Sequence, residues 1–64
     1  MKNEEIRQAI EAAGVKYWQV AEKLRLYDGT FSRKLRKELS AAEKDRVMQA
    51  IADAEAEKAG DLNE

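Results

Sequence analysis

Four short apolar stripes, each at helical spacing and each cut off within two or three turns, do most to limit what this chain can become. Ile6, Ala9, Ile10 and Ala13 recur at intervals of three and four, and so do Tyr17, Val20, Ala21 and Leu24. Phe31 and Leu35 make a third stripe, and Val47, Met48 and Ile51 a fourth. Only Arg25, Leu26 and Tyr27 separate the second stripe from Asp28, where a third helix can begin. Two helices joined so tightly cannot run straight on and must cross at a steep angle. Proline is absent and helix formers dominate, so the stripes predict an all-α chain.

The punctuation agrees. Asn3 is placed to cap a first helix over 4–13, with Glu4 and Glu5 in the first turn where negative charge suits the helix dipole. Gly14 is a natural stop, because it tolerates the left-handed conformation that closes helices. The second helix, about 17–24, has a weaker start because Lys16 is a poor N-cap. Ser40-Ala41-Ala42-Glu43 is a capping box that opens a fourth helix. From Ala52 onward, "ADAEAEKAGDLNE" holds no large side chain until Leu62, which predicts a helix running on into solvent and fraying near Gly60. The expected organisation is one domain over residues 1–52, with 53–64 as a solvated acidic helix end and tail.

Several function classes fall away. The 64 residues hold no cysteine and no histidine, which removes disulfides, thiolate chemistry, and the commonest general base and metal ligand. The carboxylates are scattered and the chain is too short to enclose a pocket, so no enzyme, cofactor, metal site or small-molecule ligand is expected. No apolar run approaches the ~20 residues of a membrane span, and the lack of cysteine suits a reducing cytoplasm.

Charge is the positive clue. The net charge is −1, but residues 1–15 sum to −1, residues 16–37 to +5 and residues 38–64 to −5. On a helical wheel with Phe31 at zero, Leu35 falls at about 40° and Glu38 at about 340°, so Phe31 and Leu35 define the inward side, with Leu39 following at the exit. Ser32, Arg36, Gly29 and Arg33 fall at about 100°, 140°, 160° and 200°, with Lys37 beside them at about 240°. A solvated helix face is the ordinary explanation for such cations. Here, however, they are not interleaved with acids, and short residues (Asp28, Gly29, Thr30, Ser32) precede them. A helix lying in a major groove needs small hydrogen-bonding groups at its tip and cations for phosphates.

The segment "YWQVAEKLRLYDGTFSRKL", residues 17–35, resembles the helix-turn-helix of the Cro/C1-type regulators of phages and bacteria. Ala21 matches the small residue where the two helices touch, Val20, Leu24 and Leu26 match the packing positions, and Phe31 matches the apolar site where the third helix meets the second. The resemblance covers about residues 4–52 and implies a compact, lambda-repressor-like bundle of four or five helices. It also implies a phage or mobile-element regulator that represses or autoregulates by occupying a promoter. Three departures stand out. Arg25 occupies a turn position where the family usually has glycine, Tyr17 stands where glutamine is frequent, and Leu35 comes one residue later than the usual pattern.

Carried over position by position, the resemblance assigns Asp28, Gly29, Ser32 and Arg33 to base edges, with Arg33 favouring guanine through a bidentate contact. It assigns Tyr17, Arg25, Tyr27, Thr30, Lys34, Arg36 and Lys37 to the DNA backbone. Asp28 has a competing role as helix cap, and Thr30 as part of the helix start. Trp18 either packs against the fourth helix near Met48 or is an exposed contact residue, and Met48 is expected in the core. The partner is double-stranded DNA, with a weak or DNA-induced homodimer. The alternative is a protein-binding module or accessory factor, antitoxin-like or recombination-associated, with only nonspecific DNA affinity.

Overall fold

The computed structural model describes residues 3–62, with side chains described through Lys58. Four helices follow one another: α1 (Glu4–Ala13), α2 (Tyr17–Lys23), α3 (Asp28–Lys34) and α4 (Ala41–Leu62). No strand occurs among the described residues, and no helix there is long and apolar enough to cross a membrane. At about 1.5 Å per residue, the 22 residues of α4 span most of the 38 Å long axis. α1 and α2 both pack on α4, while α3 packs on α2. The four stripes meet in one core, where Ile6, Ile10, Val20, Ala21, Phe31 and Leu35 are almost wholly buried against Val47, Ala50, Ile51 and Ala54.

α1 and α2 close in the same way although their sequences differ. Behind α1, the Gly14 N–H donates to Glu11 O and the Val15 N–H to Ile10 O, with Gly14 at φ 69°. Behind α2, the Arg25 N–H donates to Glu22 O and the Leu26 N–H to Ala21 O, with Arg25 at φ 60°. Both are Schellman closures, which satisfy orphan carbonyls by placing one residue in the left-handed region. The turn therefore has the shape that wants glycine, and Arg25 adopts it at a cost of about 1 kcal/mol. The start of α2 rests on Gln19, which reaches back and accepts from the Lys16 N–H at 2.7 Å, half of a capping box without a capping side chain.

Asn3 departs from its expected role. It does precede α1, and its carbonyl accepts from the Ile6 and Arg7 N–H groups, but its side chain makes no cap bond. The residue is left-handed (φ 58°) and 1 % exposed. Its Nδ2 donates to Leu35 O (3.0 Å) and Lys37 O (2.7 Å), and its Oδ1 accepts from the Leu39 N–H (2.9 Å). The Asn3 N–H donates to Glu38 Oε1 at 3.1 Å. One buried amide thus satisfies the backbone of the segment joining α3 to α4, more than thirty residues away in the chain. Such a contact has no local sequence signature.

Three further expectations are revised. α3 ends at Lys34, so Glu38, placed on the third helix by the wheel, lies outside it, exposed, with its Oε1 accepting from the Asn3 N–H. Asp28 is the first residue of α3 and not its cap; Tyr27 holds that place. Met48 is 36 % exposed and Trp18 53 % exposed, so neither is core. Trp18 shares a surface hollow with Ala54, Glu57 and Lys58 of α4, not with Met48. The capping box, in contrast, forms as expected. The Glu43 N–H donates to Ser40 Oγ at 3.2 Å, and Glu43 Oε1 accepts from the Ser40 N–H at 3.2 Å and from its hydroxyl at 3.1 Å. These bonds hold the Glu43 carboxyl below its usual range, with Lys34 adding to the effect.

Candidate nucleic-acid interface

α3 is fixed by its two apolar anchors. Phe31 and Leu35 are each 1 % exposed, four residues apart, so they lie on one face and leave the opposite face to solvent. Beyond Lys34 the Arg36 N–H donates to Arg33 O and the Lys37 N–H to Lys34 O, both at 3.2 Å. These tighter bonds carry the turn through Lys37 and keep Arg36 and Lys37 beside Arg33. Asp28, Gly29, Ser32, Arg33, Arg36 and Lys37 are all exposed, and Thr30 is half-buried. Tyr27 is 86 % exposed at the α3 N-cap position.

Gly29 is informative because the fold makes no demand for it. Its φ is not positive, and a Cβ added there would meet nothing within 4 Å. A helical residue free to be alanine is instead the one that lets the backbone come closest to whatever lies against this face.

The cations divide into two sets. Lys23 pairs with Glu57, Lys34 with Glu43 at 3.5 Å, and Lys44 with both Glu5 (2.7 Å) and Glu38. The two carboxylates raise the Lys44 pKa, the Glu38 hydrogen bond first. Lys16, Arg25, Arg33, Arg36, Lys37, Arg46 and Lys58 have no acidic partner among the described residues. Three of these seven, Arg33, Arg36 and Lys37, lie together at the end of α3 and in the turn just after it, and all three are exposed. A guanidinium left without an acid remains available to an anion from outside.

Not every expected contact residue joins that face. Tyr17 is half-buried, with its ring centroid 6.2 Å from that of Phe31 and its hydroxyl accepting from Arg7 Nη1 at 3.5 Å. Its ring therefore helps hold α3 against α2. Lys34 leans toward α4, where its ammonium meets Glu43. Arg25 lies on the α2–α4 flank, in a groove it shares with Arg46, Gln49 and Asp53. Arg46 was not among the expected contact residues, because its charge is submerged in the acidic sum of residues 38–64. Only packing shows it beside Arg25. Comparison with protein-family models, with curated proteins and with solved structures finds no match to this chain.

Proposed function

We propose that this protein is a sequence-specific DNA-binding regulator, with α2, the turn at 24–27 and α3 forming a helix-turn-helix whose α3 lies in the major groove. The observation that carries this reading is the outward face of α3. A glycine that the fold does not require stands next to Ser32 and to Arg33, Arg36 and Lys37, none of which has an acidic partner among the described residues. The left-handed turn at Arg25 adds support, since it is the geometry in which a short link sets two helices steeply across each other. Asp28, Gly29, Ser32 and Arg33 are then the base-reading group, with Tyr27, Thr30, Arg36 and Lys37 on the backbone.

The test is selection of bound duplexes from a random library at roughly physiological salt. A recovered inverted repeat would support reading by a dimer, with half-sites about 34 Å apart. Single half-sites would mean a monomeric reader. Arg33→Ala is expected to relax preference at one base pair, and Lys37→Ala to weaken all sequences alike and lower the salt slope by about 1. No enrichment, with binding that vanishes as salt rises, would overturn the reading and favour an accessory or protein-binding role.

A further inference from the structure

The three short helices end differently. α1 and α2 each close on a left-handed residue, Gly14 and Arg25. α3 has no such closure: its C-cap Leu35 is right-handed, no residue of 35–39 has a positive φ, and none is glycine. The carbonyls at a helix end still need donors. Here Asn3 supplies them, its Nδ2 donating to Leu35 O at 3.0 Å and to Lys37 O at 2.7 Å. Its Oδ1 accepts from the Leu39 N–H at 2.9 Å. α3 is thus closed from outside, by a residue from the start of the chain.

The bonds bracket Arg36 and Lys37. Leu35 is buried and Leu39 packs against the core, so the segment is pinned on both sides of the two cations. Both cations are exposed and have no acidic partner among the described residues. A left-handed closure would ordinarily place glycine in this turn. The Asn3 tether leaves its positions to arginine and lysine.

Glu38 extends the arrangement. Its Oε1 accepts from the Asn3 N–H at 3.1 Å, and its Oε2 meets the ammonium of Lys44 on α4, which also pairs with Glu5 of α1 at 2.7 Å. One acid therefore joins the segment both to the start of α1 and to α4. By charge alone, an acid next to Lys37 opposes the approach of a phosphate. Its contacts give it a different effect, which is to fix the backbone that carries the cations.

We propose that Asn3 and Glu38 are positioning residues, which hold Arg36 and Lys37 against two DNA phosphates without touching the DNA themselves. Fixing the backbone beneath two flexible cations lowers the entropy they lose on meeting phosphate. The proposal rests on the DNA-binding reading and places a determinant of its strength outside the helix-turn-helix. It concerns phosphates, so it does not depend on which sequence is read.

The experiment measures binding of the full chain to a short mixed-sequence duplex between roughly 50 and 200 mM salt, where each phosphate contact adds about 0.9 to the salt slope. Arg36→Ala and Lys37→Ala are each expected to lower the slope by about 1. Asn3→Ala is expected to lower it by about 2 and the affinity about tenfold. Adding Lys37→Ala to Asn3→Ala is then expected to change the slope no further. A loss of folded chains alone lowers the affinity by one factor at every salt and leaves the slope as it was. Circular dichroism at each salt gives the folded fraction. Glu38→Ala, at an exposed side chain, carries the test if Asn3→Ala does not fold. Charge alone makes that variant bind more tightly, whereas positioning makes it bind at least about twofold more weakly, with a smaller slope. An Asn3→Ala chain with the wild-type slope overturns the proposal, as does a Glu38→Ala chain that binds more tightly. So does a Lys37→Ala effect of equal size with and without Asn3. A wild-type chain that binds no duplex overturns the DNA-binding reading itself. Binding with a slope indifferent to Arg36 and Lys37 overturns this proposal alone.

Discussion

Asn3→Asp separates two accounts of one residue. If Asn3 were a helix cap, aspartate would serve equally well, since the two residues rank together at that position and the charge would favour the helix dipole. The structure gives Asn3 a different task, because its Nδ2 donates to two carbonyls, Leu35 O and Lys37 O, and its Oδ1 accepts from the Leu39 N–H. Aspartate keeps the last bond and turns the other two into oxygen facing oxygen, at a site only 1 % exposed. Alanine removes all three. At about 1 kcal/mol for each bond lost, and more where a buried partner is stranded, Asn3→Ala is expected to cost about 3 kcal/mol and Asn3→Asp at least as much. A domain of this size has about 3–10 kcal/mol in total, and about 3 kcal/mol corresponds to a fall in Tm of roughly 12–25 °C. Urea unfolding at neutral pH followed by far-UV circular dichroism measures it. Asn3→Asp within about 0.5 kcal/mol of wild type would refute the tether and restore the cap.

Arg25→Gly is expected to stabilise the fold by about 0.5 kcal/mol, because relief of the left-handed strain exceeds the entropy glycine adds to the unfolded chain; destabilisation in urea would mean that the Arg25 stem packs. Gly29→Ala is expected to gain about 0.5–1 kcal/mol for the same entropic reason plus helix propensity, while affinity for a selected duplex falls; unchanged affinity would remove the close approach. Glu43 contributes through a carboxyl pKa lowered by the Ser40 N–H and hydroxyl, so its contribution is present above the ordinary carboxylate pKa and lost as the pH falls through the folded one. The stability difference between wild type and Glu43→Gln is therefore expected to be largest near neutrality and to shrink below about pH 4.3; a difference independent of pH would show that the charged form is not favoured.

The sequence by itself determined the elements that rest on neighbouring residues. The apolar stripes set α1 at Glu4–Ala13 and placed α2 to within a residue, Gly14 closed α1, and Ser40 with Glu43 opened α4, because periodicity and capping act over three or four positions. The buried status of Phe31 and Leu35, and with it the outward face of α3, was legible for the same reason. Tertiary structure alone decided what depends on contacts between distant parts of the chain. Asn3 left its cap for carbonyls more than thirty residues away, Trp18 and Met48 stayed at the surface, and Lys34 was drawn to Glu43 while Arg33, Arg36 and Lys37 were left without acids among the described residues. Arg25 is the instructive case. Local sequence argues against a left-handed arginine, yet the closure of α2 and the packing of α3 on it offset a cost of about 1 kcal/mol. Which charges find partners, and which remain for something outside the chain, is settled only once the helices have packed.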